Sequence, residues 1–352
     1  TSRLLGQDST LVLHGGGNTS VKITETNIVG EQEEILYVKG SGWDLVSIEK
    51  AGFSPVRMAH MIKLGKLDSL SDPQMVNELK TQLTNASAPA PSVETILHAI
   101  LPFKYVDHTH ADAVVTISNT SNGEERIREI YGDRVVIVPY VMPGFDLSKD
   151  VGRLFSEQAT DKTEGMVLLN HGIFSFGDNA KQAYDRMINL VDLAEKYLIN
   201  QNAWELEKPL GGLSTKPMRN EIAQLRQSIS AVITSPVLFN LTNSERGIDF
   251  SNQDDVTSIA TRGPVTPDHV IRTKRIPMIG CDVNQYIEEY ASYFDTHEPN
   301  AKQRKTMLDA APRVILDQEF GLCAVGKNMG EIGIIADLYE HTMQCILRAE
   351  EL

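Results

Sequence analysis

The sequence predicts an α/β fold, a mixed sheet covered by helices, and three observations carry that prediction. Short apolar runs alternate with helical stretches, several runs meet across turns too tight for a helical crossover, and the longer segments repeat apolar residues at helical spacing. Taken in order, Leu11-Val12-Leu13 reads as a first strand that runs into His14-Gly15-Gly16-Gly17-Asn18-Thr19-Ser20 and then into an alternating second strand, Val21-Lys22-Ile23. A third strand, Ile35-Leu36-Tyr37-Val38, ends in Lys39-Gly40-Ser41-Gly42-Trp43-Asp44. Helices are expected over residues 55–64 and 73–83. Pro91-Ser92 opens another, with Ser92 as N-cap and Val93, Ile96, Leu97, Ile100 and Leu101 on its buried face. Strands over 105–110 and 135–138 bracket a helix near 123–131. Residues 166–169 and 173–176 read as strands paired across Asn170-His171-Gly172. Asp178 then caps a long amphipathic helix whose stripe is Ala180, Ala183, Met187, Leu190, Val191, Ala194 and Leu198.

The breaker-rich stretch Pro209-Leu210-Gly211-Gly212-Leu213-Ser214-Thr215-Lys216-Pro217 places a domain boundary there. Residues 1–208 would form a catalytic domain and 209–352 a second, smaller α/β domain of unknown role. Short apolar segments recur in it at 237–240, 270–272, 313–316 and 321–325, with helices over 283–294 and 331–349. One unit of the second half echoes the first. Val167-Leu168-Leu169, a turn, Gly172 and Gly177-Asp178-Asn179 before a helix match Val314-Ile315-Leu316, a turn, Gly321 and Gly326-Lys327-Asn328 before a helix. Phe320 takes the place of His171. A degenerate duplication and chance agreement both explain this.

A chain of 352 residues favours two domains, and 41% hydrophobic with 23% charged residues is ordinary for a globular protein. A net charge of -14 argues against a nucleic-acid partner, which would need a basic face. The three scattered cysteines (Cys281, Cys323, Cys345) read as reduced, mostly buried thiols rather than a disulfide framework. No run approaches the roughly 20 apolar residues that span a bilayer, and no signal pattern opens the chain. No membrane partner and a cytoplasmic location are expected.

Three groups of residues carry chemistry. His108 and His110, two apart on a strand, leave from one face, and His171 lies at the end of another apolar run. Such imidazoles can share a divalent cation with coordination positions left open, although a lone histidine is ordinarily a satisfied core or surface residue. Glu94 sits in the first turn of a helix, where a carboxylate either complements the exposed amides or serves as proton-transfer group beside a metal. The glycine turns at 15–17 and 40–42 let backbone amides approach a ligand, and with Ser92 they could make a phosphate or sugar pocket; tight hairpins use glycine as well.

In this order, Gly16-Gly17-Asn18-Thr19-Ser20, Ser41-Gly42, Pro91-Ser92-Val93-Glu94-Thr95-Ile96-Leu97-His98, His108-Thr109-His110 and Asn170-His171-Gly172 resemble the class II aldolase/adducin family over roughly residues 1–200. The resemblance implies a three-layer α/β/α sandwich around a mixed, largely antiparallel sheet, usually assembled as a tetramer. It implies that His108, His110 and His171 hold one divalent metal ion, zinc foremost with manganese, cobalt or iron as alternatives. Glu94 would be the catalytic acid/base, and Gly17, Asn18, Ser41, Gly42 and Ser92 would face the substrate or its phosphate. The partner would be a small sugar or sugar phosphate, and the reaction a retro-aldol cleavage of a ketose or ketose 1-phosphate through a metal-stabilised enediolate. Sugar-phosphate 4-epimerisation or dehydration on the same site, or a non-enzymatic adducin-like interaction module, are the alternatives.

Within the family the chain is most similar to the aldolase part of bifunctional rhamnulose-phosphate aldolase/lactaldehyde dehydrogenase proteins. That likeness runs through residues 14–22, 138–147 and 266–274. No dehydrogenase fingerprint is present, which suggests a stand-alone relative or a piece ending where that domain would begin. Val93 departs from the family, where a second serine is usual; one phosphate-contacting hydroxyl is lost. Tyr131 and Tyr140 are candidates for the acid that serves the aldehyde oxygen. Thr266-Pro267-Asp268-His269 is either a satisfied turn or a lid offering His269 and Arg272.

Overall fold

Four of the seven strands in the first unit are buried almost throughout, which takes a helical layer on each face of the sheet, and that unit supplies both. In a computed structural model, which describes residues 1–209, 219–242 and 244–352, the chain divides into two compact units. The first comprises Thr1–Glu205 with Val265–Pro267 and Arg348–Leu352, the second Leu206–Pro264 with Asp268–Leu347. Most of the breaker-rich stretch read as a boundary lies outside the described residues.

The first unit runs α1 (Ser2–Gly6), β1 (Asn18–Thr26), β2 (Gln32–Lys39), β3 (Phe53–Arg57), α2 (Met58–Leu64), α3 (Asp72–Thr81), α4 (Thr95–Ile100), β4 (Tyr105–Thr109), α5 (Asp112–Ser118), α6 (Gly123–Tyr131), β5 (Val135–Val138), α7 (Phe145–Gln158), β6 (Gly165–Leu168), β7 (Gly172–Gly177) and α8 (Ala180–Asn200). The strands order as β3-β2-β1-β4-β7-β6-β5, all neighbours antiparallel except β5 with β6. Alternation along the strands splits the core in two. Val136, Val138, Phe174 and Phe176 pack with α4 and α7 residues such as Leu97, Leu147 and Val151. Ile137, Val167 and Ile173 face α5, α6 and α8 through Ile117, Ile127, Met187 and Leu190. The result is a three-layer sandwich around a mixed, largely antiparallel sheet.

The second unit contains α9 (Arg219–Ile233), β8 (Leu238–Leu241), α10 (Glu245–Ser251), α11 (Val256–Ala260), α12 (Val270–Thr273), β9 (Met278–Ile279), α13 (Val283–His297), β10 (Val314–Asp317), β11 (Gly321–Gly326) and most of α14 (Met329–Glu350). Its four strands order as β8-β11-β10-β9. Leu316, Leu322 and Ala324 pack beneath Phe250, Ile259, Ile332 and Ile335, while Ile315, Cys323 and Val325 meet Leu225, Ile229, Val283 and Tyr286. The antiparallel pair β10–β11 leading into a long helix has the same local layout as β6–β7 leading into α8. All three cysteines are free, Cys281 exposed and the others buried. Among the described residues no helix is long and apolar enough to cross a membrane.

Several local readings need correction. Leu11, Val12 and Leu13 form no strand: Leu11 and Val12 are buried beside Leu5 of the unanticipated α1, and the Leu11 carbonyl accepts from His110 N. The glycine run therefore leads from a turn into β1. Residues 55–57 are strand, not helix; β3 is the last strand of the sheet, and Pro55 keeps its place there through its carbonyl, which accepts from Thr84 N at 3.0 Å on the side away from β2. The helix after Ser92 starts two residues late. Ser92 Oγ accepts from Glu94 N, closing a turn that leaves Glu94 as the N-cap of α4 and Val93 exposed. Asn179, not Asp178, caps α8, its side chain accepting from Gln182 N at 3.0 Å.

Candidate functional site

Three adjacent strands bring the site together. Asn18 at the start of β1 stands opposite His108 near the end of β4, which stands opposite Phe174 of β7. His110 follows β4 by one residue and His171 sits in the β6–β7 turn, just before Gly172. One ligand atom from each of His108, His110 and His171 lies within 4.8 Å of the others. Ring centroids are 4.8, 5.1 and 5.3 Å apart. His108 is fully buried, and its ring stacks on Phe174 with centroids 4.0 Å apart.

Neighbouring backbone fixes which nitrogen is available. His108 Nδ1 lies 3.1 Å from the Ile173 carbonyl, which only accepts. That contact puts the proton on Nδ1 and leaves the Nε2 lone pair directed into the cluster, 3.0 Å from His110 Nε2. Gly172 permits this approach: a Cβ there would stand 2.4 Å from the Thr109 carbonyl and 3.0 Å from each of the His108 and His110 rings. Gly17, with φ of +60°, does the same from the other side, where a Cβ would meet the His108 carbonyl at 2.7 Å.

Glu94 is 5% exposed and points at the imidazoles. Its Oε2 is 3.6 Å from His108 Nε2, and its Oε1 is 3.5 Å from His171 Nε2. Asn18 Nδ2 donates to Oε2 at 2.6 Å and also reaches Ser92 Oγ at 3.3 Å. Behind Asn18, His98 Nε2 donates to Asn18 Oδ1, while its Nδ1 accepts from Ser20 Oγ at 2.8 Å. Burial pushes the His98 pKa down to about 3, with His108 and Lys22 acting in the same direction and Glu94 opposing. A neutral His98 thus holds the Asn18 amide so that its N–H groups face Glu94.

The remaining expected contacts lie nearby. Ser41 N donates to the Ala90 carbonyl at 2.8 Å and Gly40 bridges to Pro91, so the Ser41-Gly42 turn borders the Ser92 segment. Both Ser41 and Gly42 are exposed. Lys39 Nζ donates to the Gly15 carbonyl at 2.8 Å, tying the two glycine turns together. Tyr131 is buried in the core and donates to the Leu190 carbonyl, and burial pushes its pKa well above the ordinary tyrosine value. His269 is buried and Arg272 exposed within the second unit. Sequence reasoning missed Phe174 and Ser20 as supports; each stands an even number of residues from a recognised neighbour (Gly172, Asn18), the period that places side chains on one face of a strand.

A divalent cation fits this donor set. Three nitrogens converge, at least one with its lone pair directed inward, beside a buried carboxylate whose Oε1 accepts no hydrogen bond among the described residues. Imidazole and carboxylate donors suit zinc and its neighbours.

Comparison with known proteins agrees over both halves. Residues 1–198 match the family described as Class II Aldolase and Adducin N-terminal domain, and residues 216–352 match Aldolase class II, second domain. The chain is 31% identical over 378 aligned residues to an uncharacterised oxidoreductase, YuxG, of Bacillus subtilis (strain 168); the match covers all of this chain and 53% of that one. The chain thus spans about half the length of the curated relative it matches. A solved structure, the N-terminal class II aldolase domain of a conserved protein from Thermoplasma acidophilum, is 47% identical with a TM-score of 0.53, covering 56% of this chain and 90% of that chain.

Proposed function

The chain belongs to the class II aldolase and adducin family, and on that premise we propose that it is a metal-dependent aldehyde-lyase cleaving a ketose or ketose 1-phosphate. The observation that supports this reading most is the convergence of His108, His110 and His171 on one point with Glu94 beside it. In the proposal the three imidazoles hold one divalent ion, zinc foremost. When bound, that ion supplies Lewis acidity toward the substrate's carbonyl and adjacent hydroxyl oxygens.

The chain's own groups do the rest. Cleavage breaks a carbon–carbon bond, the electron pair passing to the carbonyl fragment while the hydroxyl of the other fragment gives its proton to solvent water and becomes an aldehyde. Glu94 delivers the proton to the carbon that has gained the pair, and removes it in the synthetic direction. Asn18, braced by neutral His98, orients the Glu94 carboxylate for that transfer. Gly17, Ser41, Gly42 and Ser92 border the space for the sugar or its phosphate. Exposed Val93 offers no hydroxyl beside Ser92, which favours substrates gripped by fewer phosphate contacts.

Assembly as a homo-oligomer, a cytoplasmic location and a role in carbohydrate metabolism belong to the same proposal. The relative named as an oxidoreductase is nearly twice as long as this chain, in keeping with an aldolase region joined to a dehydrogenase. The reading is tested by screening ketoses and their 1-phosphates for aldehyde release with zinc-loaded protein. Aldehyde formed in step with substrate loss, without borohydride-trapped substrate on a lysine, supports it. An epimer or a dehydrated product instead would reassign the site within the family.

A further inference from the structure

We propose that Asn119 is a positioning residue that sets the cation affinity of the site by holding the His171 turn; the inference rests on the metal reading given above. His171 has no strand of its own to fix it. It sits between Asn170, whose φ of +57° lies in the left-handed region, and Gly172, and its N–H donates to the Leu168 carbonyl at 3.2 Å. Such a turn needs outside support to keep one ring orientation.

That support comes from α5. The helix begins two residues after His110, every residue from Asp112 to Ser118 is buried, and it spans about 10 Å at the usual helical rise. Its C-terminal end grips the third ligand's turn twice. Ser118 Oγ accepts from Asn170 N at 3.3 Å, and Asn119 Oδ1 accepts from Asn170 Nδ2 at 2.9 Å. One rigid buried helix therefore links the segment that ends in His110 to the turn that presents His171.

Asn119 is itself held in one orientation. Its Nδ2 donates to the Val115 carbonyl at 2.7 Å and to the Val265 carbonyl at 3.0 Å, so its oxygen must face Asn170. Val265 belongs to the short stretch, Val265–Pro267, that the second half of the sequence contributes to the first unit. Seating of that stretch and orientation of His171 thus depend on the same amide. Aspartate would put negative charge against two carbonyls and alanine would release all three contacts.

Two full-length variants test this, with zinc affinity of the chelator-stripped protein as the readout and the visible spectrum of cobalt-loaded protein as a second one. Asn170→Gly deletes only the side-chain tie, because glycine adopts positive φ without strain. Asn119→Ala removes the tie together with the α5 cap; should it fail to fold, Asn170→Gly carries the test alone. The proposal expects zinc Kd to rise about 10- to 100-fold in each folded variant, the range found for groups that orient metal ligands, with a shifted cobalt spectrum. Asn170→Gly binding zinc within twofold of the unsubstituted chain, with an unchanged cobalt spectrum, would overturn the inference alone. No stoichiometric zinc binding by the unsubstituted chain would overturn the metal reading and this inference together.

Discussion

Replacing Glu94 by glutamine separates structure from chemistry at this site. The carboxylate is 5% exposed and its Oε2 takes a 2.6 Å hydrogen bond from Asn18 Nδ2. Glutamine is nearly isosteric and can offer its carbonyl oxygen to the same N–H. A hydrogen bond to a charged group contributes about 1.5–3 kcal/mol and a neutral one about 0.5–1.5, so the exchange should cost about 1 kcal/mol of stability. The three imidazoles are untouched, and zinc should stay bound, although more weakly for want of a negative charge 3.5 Å from His171 Nε2. Turnover should fall much further: a positioned acid/base contributes about 10²–10⁴-fold, equivalent to about 3–5.5 kcal/mol of barrier. Zinc content, melting temperature and aldehyde release at saturating substrate, measured on one preparation, decide the matter. Activity within tenfold of the unsubstituted protein with zinc retained would refute the role of Glu94, as would a loss of activity fully restored by excess zinc.

Other expectations are as direct. Gly172→Ala must displace the Thr109 carbonyl or the His108 and His110 rings; overpacking of this kind costs about 1–3 kcal/mol, and zinc affinity measured by titration should fall at least tenfold. Phe174→Ala removes a fully buried ring from beneath His108, and urea unfolding should show a loss of about 3–5 kcal/mol. Burial holds the Lys22 ammonium at a pKa of about 8, below the ordinary 10.5, against the opposing pull of Glu34. Between those values the unfolded chain binds the extra proton, so stability of the protein should rise with pH from about 8 to 10.5, and Lys22→Met should flatten that rise in melts recorded across the window. Chelation should lower the melting temperature; zinc at about 1,000 times its Kd would restore about 4 kcal/mol, and an unchanged melt would speak against a tightly held ion.

Much of this was legible because it depends on local periodicity. The spacing of His108, in β4, and His110, one residue past its end, brings both imidazoles to one side, and the apolar runs of β5, β6 and β7 are buried on both sides. The α8 stripe from Ala183 to Leu198 likewise follows directly from a period of 3.6. What escaped depends on partners distant in sequence. Leu11-Val12-Leu13 looks like a strand, yet its apolar residues are spent against Leu5 while its backbone serves His110. Pro55 reads as a helix start only until β2 on one side and residues 82–84 on the other are known to flank it. Nothing in the pattern of α5 reveals that its final residues, Ser118 and Asn119, reach a turn 51 or 52 residues away. The sequence singles out Glu94, but its N-cap position follows from Ser92 closing a turn, a competition between side-chain and helical hydrogen bonds that composition does not resolve.

Whether one cation sits among the three imidazoles decides the function. Crystals of chelator-stripped protein soaked in stoichiometric zinc and measured at the zinc absorption edge answer this directly. A metal-dependent aldolase should show a single strong anomalous peak bonded to nitrogens of His108, His110 and His171. An absence of density there, or zinc bound only elsewhere on the chain, would contradict that function.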